Sequence, residues 1–146
     1  WEVRTMNDVR EAITKAKDSH FLNKEGDYLS LAVIRKSDDQ LIGQVNAMYR
    51  SELHKKAEFG YVINPRFSGN GYITEAASSL ITALFASGLF HYVFANMDPR
   101  NSASEGVVKR LGLRKEAHHL QDYWFKGEWT DSFIYATLKD EWRSNH

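Results

Sequence analysis

The stretch "AEFGYVINPRFSGNGYITEA", Ala57 to Ala76, carries the pattern on which the predicted fold depends. Apolar and polar residues alternate up to Asn64-Pro65, which is typical of a half-buried strand. A loop with Gly69 and Gly71 follows, and the apolar residues after it recur at helical spacing. Glycines let the backbone approach an anion, and the first turn of a helix offers free N–H groups. The stretch therefore predicts a phosphate cradle between a strand and a helix.

Two well-known phosphate loops do not fit this stretch. A nucleoside-triphosphate P-loop requires Lys and then Ser or Thr after its last glycine, whereas Tyr72-Ile73 follows Gly71 here. A dinucleotide fingerprint requires a third small residue, but Thr74 holds that position and the preceding strand is the third of a meander. The spacing leaves two interpretations open. Arg66 adds a positive charge to an anion site, or it lies in solvent beside an ordinary strand–helix turn.

Length and composition narrow the class of protein. The chain has 146 residues, enough for a single domain over residues 1–146. Nineteen basic residues balance nineteen acidic ones, which argues against nucleic acid and anionic membranes as partners. No apolar run approaches the roughly 18 residues of a membrane span. The chain opens on Trp1 rather than Met, so we expect a trimmed or processed chain.

Cysteine and histidine usage bears on the chemistry. The chain has no cysteine, which excludes disulfides, thiolate metal sites and a cysteine nucleophile, and fits a reducing compartment such as the cytoplasm. The six histidines lack ligand spacing, and His118 and His119 should point to opposite faces of a strand. We therefore expect no metal site.

The order of predicted elements indicates a mixed α/β domain. Periodicity predicts a helix, three strands, a helix, a strand, a helix and two strands. The first helix spans residues 6–22, and the later helices cover 73–87 and 102–111. The strands are predicted at 28–36, 40–50, 56–63, 91–97, 113–125 and 129–138.

Three blocks of the sequence resemble the GCN5-related N-acetyltransferases (GNAT). "RFSGNG", Arg66 to Gly71, is similar to the family signature Arg/Gln-x-x-Gly-x-Gly/Ala. The blocks "AEFGYVINPRFSGNGYITEA", "DPRNSASEGVVKRLGLRKEA" and "FKGEWTDSFIYATLKDEW" resemble, in order and spacing, the RimJ/RimL-type branch that acetylates the N-termini of ribosomal proteins. The resemblance implies an α/β (α+β) GNAT fold. Its mostly antiparallel, twisted sheet splays in a V between the strands at 56–63 and 91–97, with flanking helices.

The resemblance covers the first elements poorly. Family members begin with another strand and helix, so the resemblance implies that these elements are missing or unusually short here. "WEVR", residues 1–4, read as a shortened first strand, is the less favoured interpretation. We expect an acetyltransferase domain that is incomplete at its N-terminus.

By resemblance, acetyl-coenzyme A would lie in the V without any metal. The backbone of Val62 and Ile63 would pair with its pantetheine arm, and Asn101 and Ser104 match the family's Asn-x-x-Ser near that arm and the thioester sulfur. The residues implied to hold the pyrophosphate are Arg66, Phe67, Ser68, Gly69, Asn70, Gly71, Tyr72 and Thr74.

Acetyl transfer to an amine makes three demands: a deprotonated amine, a stabilised oxyanion and a protonated leaving thiolate. Direct attack in a ternary complex needs no enzyme nucleophile. A backbone N–H near Val62 is the expected oxyanion donor, and Ser104 is the candidate acid. Glu58 is the candidate base, acting through a water. Ser104 as a local helix-start residue and Glu58 as an outward strand carboxylate remain the alternatives.

The acceptor is predicted to be a protein or peptide α-amine. Its pKa is about 8, against about 10.4 for lysine, so a useful fraction is already neutral. A small-molecule amine, such as a polyamine, an aminoglycoside or an amino-acid conjugate, is the alternative. A non-catalytic coenzyme A-binding module or a structural interaction domain is the rival from another class. The sequence leaves open whether the protein forms a homodimer.

Overall fold

The computed structural model describes the backbone of residues 2–3 and all of residues 22–146. The helix predicted over residues 6–22 lies outside the described residues except for Leu22, which is fully buried. None of the described helices is long and apolar enough to cross a membrane. Within the same residues, no three His, Asp or Glu side chains cluster as a metal site would require.

One mixed sheet forms the body of the domain, with strand order β1-β2-β3-β4-β5-β7-β6. The strands are β1 (Glu2–Val3), β2 (Tyr28–Arg35), β3 (Gln40–Ser51), β4 (Lys56–Ile63), β5 (Tyr92–Met97), β6 (Arg114–Phe125) and β7 (Glu128–Leu138). Two of its six pairings, β1 with β2 and β4 with β5, are parallel, and the other four are antiparallel. This confirms the predicted fold class.

The strand at Glu2–Val3 fits the interpretation of "WEVR" as a shortened first strand, which the sequence alone made the less favoured one. Its two residues pair in parallel with Ala32 and Val33 of β2. Two residues are too few to show a periodicity, and only the ladder with a distant strand identifies them.

The sheet opens between β4 and β5. Only Lys56, Ala57 and Glu58 of β4 pair with β5, opposite Tyr92 to Phe94. Beyond that point β4 continues to pair with β3 as far as Ile63, while β5 continues with β7 as far as Met97. The second half of β4 therefore has no ladder on its β5 side, as the predicted splay requires.

Within residues 22–146, three helices accompany the sheet: α1 (Tyr72–Ala86), α2 (Ser102–Arg110) and α3 (Lys139–Asn145). One stripe of α1, including Leu80, Ile81 and Leu84, is fully buried, as its apolar spacing predicts. Helix α1 packs against β3 and β4, and helix α2 contacts both α1 and β5. The two helices thereby flank the open edge of β4.

Helix α3 has no counterpart among the sequence predictions. Its start is fixed by the Glu141 carboxylate, which accepts from the backbone N–H of Leu138. Trp142 is buried and donates from Nε1 to Thr82 Oγ1 on α1 at 3.0 Å. Tertiary packing of one tryptophan, rather than a long amphipathic stripe, holds this short helix in place.

Candidate active site

A cleft of about 300 Å³ lies between the glycine loop, the start of α1 and one side of α2. The loop lies between a 3₁₀ turn at Pro65–Phe67 and Gly71. The residues that α2 contributes to the cleft recur every three to four positions, so they lie on one face of the helix. The residues lining the cleft are Ile63, Ser68, Gly69, Gly71, Tyr72, Ile73, Thr74, Ser102, Ala103, Gly106, Val107 and Arg110.

The glycine loop presents bare backbone. Gly69 and Gly71 have φ of +83° and +78°, and a Cβ built on either would meet nothing within 4 Å. Gly71 is the N-cap of α1, and no side chain caps the helix. The first-turn N–H groups of α1 thus have no side-chain acceptor, which makes this helix start suited to an anion such as a diphosphate.

The loop is braced by its own side chains. Asn64 accepts from the N–H of Arg66, and Ser68 Oγ donates to the carbonyl of Pro65 at 2.9 Å. The Asn70 amide donates to the carbonyls of Phe67 and Ser68. These bonds hold the loop in shape without using the amides of α1.

The structure brings some of the residues predicted to bind cofactor to the cleft and leaves others outside it. Ile63, Ser68, Gly69, Gly71, Tyr72 and Thr74 line it. Phe67 is a core residue, 6% exposed. Arg66 is exposed, with its guanidinium 5.6 Å from the centre of the Phe67 ring. The Val62 side chain is 58% exposed and lines a different groove, beside Gly43 and Pro65.

Asn101 and Ser104 start helix α2. Asn101 Oδ1 accepts from the backbone N–H of Ser104 at 3.0 Å, which confirms the predicted cap. The Ser104 hydroxyl donates to the Tyr61 hydroxyl at 3.1 Å, and Tyr61 donates to the Ser104 carbonyl at 2.7 Å. These two hydrogen bonds link strand β4 to helix α2 beside the opening of the sheet.

Tyr61 is a hydrogen-bond partner of Ser104 that sequence reasoning missed. Burial raises the pKa of the Tyr61 hydroxyl, and the Ser104 bond and the nearby Arg110 charge oppose the rise. The phenol therefore stays protonated near neutral pH and remains both a donor and an acceptor to Ser104. The alternation of β4 already placed Tyr61 on the face opposite Glu58, but its partner lies 43 residues away.

Glu58 lies on the other face of β4, held by Arg50. Both Nε and Nη2 of Arg50 are 2.9 Å from Oε1 of Glu58. The two side chains line a second cavity of about 410 Å³ between β4, β5 and the β6–β7 hairpin. The other lining residues are Asn96, Met97, Asp98, Tyr123, Phe125, Thr130, Asp131 and Ser132.

The other two carboxylates of this second cavity, Asp98 and Asp131, accept hydrogen bonds from neighbouring residues. Side-chain and backbone bonds from Arg100 lower the pKa of Asp98. The hydrogen bond from the backbone N–H of Gln121 lowers the pKa of Asp131, and the bond with His118 lowers it further. Both groups are therefore ionised near neutral pH. On Glu58, the Arg50 contacts converge on one oxygen, Oε1, which leaves Oε2 outside these contacts.

A strand open on one edge, a glycine loop at a helix start beside it and a carboxylate on the opposite face of the strand fit a coenzyme A-dependent acyltransferase. A sequence profile of the acetyltransferase (GNAT) domain matches residues 1–114. The chain belongs to this family and is an acyl-coenzyme A-dependent N-acetyltransferase.

Similar proteins agree with that assignment. The chain is 31% identical over 140 residues to the uncharacterized N-acetyltransferase YnaD of Bacillus subtilis, covering 94% of this chain and 82% of YnaD. It is 25% identical over 122 residues to the ribosomal protein uS5-alanine N-acetyltransferase of Escherichia coli, covering 82% and 62% of the two chains. The crystal structure of a GNAT-family acetyltransferase from Bacillus anthracis superposes with a TM-score of 0.72 at 28% identity, covering 77% and 67%.

Proposed function

We propose that this protein transfers the acetyl group of acetyl-coenzyme A to the α-amine of a protein or peptide, by direct attack in a ternary complex. The observation that carries the proposal is the opening of the sheet beside β4. Its free edge runs from the cradle at Gly69 and Gly71 toward Glu58, with a separate cavity on the Glu58 side.

The cofactor supplies an activated acetyl thioester, and the chain supplies its binding surface. Gly69, Gly71 and the first-turn amides of α1 fit the pyrophosphate, with Ser68, Asn70, Tyr72 and Thr74 shaping the loop. The end of β4 at Val62 and Ile63 has no β5 ladder, so those of its backbone N–H and C=O groups that point away from β3 are available to the amides of the pantetheine arm. The same free N–H groups serve as oxyanion donors. No residue role in this account requires a metal.

Glu58 is proposed to accept the proton of the acceptor amine, directly or through a water. A carboxylate with one oxygen held by Arg50 and the other outside those contacts has the geometry of a positioned base. Ser104 is proposed to donate to the leaving sulfur. Its hydroxyl is oriented by Tyr61, whose protonated phenol can donate in turn to Ser104 Oγ.

The charges of the second cavity favour an α-amine over a polycation. Three carboxylates line it, but Arg50 pairs with Glu58, Arg100 with Asp98, and His118 contacts Asp131. A polyamine needs several uncompensated carboxylates, whereas an N-terminal amine needs one acceptor and space for a short peptide. The similarity to a uS5-alanine N-acetyltransferase supports the same choice.

A coenzyme A-release screen tests the proposal. Purified protein and acetyl-coenzyme A are incubated with peptides that differ in their first residue, and with polyamines, aminoglycosides and amino-acid conjugates. We expect release above background with unblocked peptides and none with the same peptides blocked at their N-terminus. Release only with small amines would favour the small-molecule alternative. Tight cofactor binding with no release on any amine would favour a non-catalytic module.

A further inference from the structure

Arg110, at the end of α2, reaches back toward the glycine loop. Its Nε lies 3.4 Å from Thr74 Oγ1 in the first turn of α1, and its side chain lines the cleft with Gly69 and Gly71. Arg110 therefore places a guanidinium at the cleft wall opposite the bare helix start.

Gly106 makes room for that guanidinium. A Cβ at position 106 would lie 3.2 Å from Nη1 of Arg110, which is tighter than an ordinary van der Waals contact. Positions 106 and 110 are one helical turn apart, and both line the cleft. The absence of a side chain at Gly106 lets Arg110 lie flat against α2 on the cleft side.

The charge of Arg110 is not neutralised by the described residues, although the basic residues around it are paired. Lys109 and Lys115 both contact Glu105, and Arg114 contacts Glu116 and Glu141. Within residues 22–146, no carboxylate oxygen lies within 4.0 Å of the Arg110 guanidinium. Arg110 is thus a cation on the wall of a cleft whose other polar surface is bare amide and hydroxyl.

Arg66, the basic residue of the sequence signature, is placed differently. It is exposed, outside the cleft lining, with its guanidinium directed over the Phe67 ring. Its backbone N–H closes the turn on Asn64, so its backbone serves the shape of the loop.

We propose that Arg110, rather than Arg66, is the side-chain cation that binds the pyrophosphate of the cofactor. This assignment rests on the proposed use of the cleft for acetyl-coenzyme A. A guanidinium offers a planar fork of donors that matches phosphate oxygens, and it adds charge to the dipole of α1 on the facing side. Charge-assisted bonds of this kind contribute about 1.5–3 kcal/mol, which corresponds to a factor of about ten to a hundred in Kd.

The test compares Kd values of three ligands by titration calorimetry, with weak ligands measured by competition. The ligands are coenzyme A, 3′-dephospho-coenzyme A, which keeps the pyrophosphate, and pantetheine, which has no phosphate. The proteins are the unmodified chain, Arg110→Ala, Arg110→Lys and the matched control Arg66→Ala. We expect Arg110→Ala to weaken coenzyme A and its 3′-dephospho form by the same factor, about tenfold or more, and pantetheine by less than about twofold. Arg110→Lys should recover part of the loss, and Arg66→Ala should change each Kd by less than about twofold.

Several results would overturn the assignment. Unchanged binding to Arg110→Ala, or a loss that extends to pantetheine, would show that Arg110 does not act through the pyrophosphate. A loss confined to the 3′-phosphorylated ligand would place Arg110 at that phosphate instead. A larger loss of coenzyme A affinity in Arg66→Ala than in Arg110→Ala would make Arg66 the cation that binds the pyrophosphate. If the unmodified chain binds none of the three ligands, the proposed function itself fails, which is distinguishable from a failure of Arg110 alone.

Discussion

Tyr61 and Ser104 form a reciprocal hydrogen-bonded pair across the opening of the sheet, and its two members should contribute unequally to turnover. Ser104→Ala removes the proposed donor to sulfur and should lower kcat about a hundredfold, the lower end of general-acid contributions. Tyr61→Phe removes only the group that orients Ser104 and should lower kcat about tenfold. In both variants the Kd of coenzyme A should change little.

Stopped-time assays of product and calorimetric Kd values separate these effects. Equal kcat values for Ser104→Ala and the unmodified enzyme would leave Ser104 as a local helix-start residue. A loss that appears wholly in cofactor affinity would assign the pair to binding rather than proton transfer.

Glu58 and Arg50 make a second pair, on the opposite face of β4. Glu58→Gln preserves the shape of the side chain but removes the proposed proton acceptor, so kcat should fall about a hundredfold. Arg50→Met leaves the carboxylate without its anchor and should lower kcat by a smaller factor of about ten.

A pH profile distinguishes this role from a structural one. The acidic limb of kcat against pH, which reports the proposed base, should be lost in Glu58→Gln. An unchanged profile in this variant would make Glu58 an outward strand residue, and the amine would reach the site already neutral.

At the scale of elements, the start of α1 should be the anion-binding end of the cleft. Gly71→Asp places a carboxylate beside the bare first turn, where it competes with a diphosphate for the same amides. Gly88→Asp is the matched control, because Gly88 has the same φ of +78° and a Cβ there also meets nothing within 4 Å. Both variants place a side chain at the same positive φ and add the same charge.

Calorimetric titration with coenzyme A measures the difference. We expect Gly71→Asp to weaken binding by at least about tenfold, while Gly88→Asp binds like the unmodified chain. Equal cofactor affinities would contradict the assignment of this helix start to the cofactor.

Local sequence patterns predicted the secondary-structure elements better than they predicted which side chains contact one another. The alternation of residues 56–63 placed Glu58 and Tyr61 on opposite faces, and Asn101 was identified as the cap of α2 from its position alone. Tyr61 was missed as a partner because Ser104 lies 43 residues away. Arg50 was missed because its contact with Glu58 depends on the β3–β4 pairing, which is irregular between Tyr49 and Ser51. Arg110 had a local signal, its helical spacing from Gly106, that a search for the family signature alone passes over. Strand β1 and helix α3 are too short for periodicity to detect.

At the scale of the whole molecule, the last helix should contribute to stability out of proportion to its length. Trp142 is 3% exposed and bonded to Thr82 of α1, whereas Trp124 on the β6–β7 hairpin is 57% exposed. Trp142→Ala should lower the free energy of unfolding by about 3–5 kcal/mol, and Trp124→Ala by less than about 1 kcal/mol. Denaturant titration measures both. Similar losses in the two variants would show that α3 is not anchored through Trp142.

Acetyl transfer to an α-amine, rather than to a lysine or a polyamine, can be read from the position of the acetyl group by fragment-ion mass spectrometry. A peptide with an unblocked N-terminal alanine and an internal lysine is incubated with the enzyme and acetyl-coenzyme A. The Ser104→Ala variant, with its lower expected kcat, is the control. We expect a single acetyl group on the first residue, formed much more slowly by the variant. Acetylation of the lysine side chain, or no acetylation of any peptide alongside rapid acetylation of a polyamine, would contradict it.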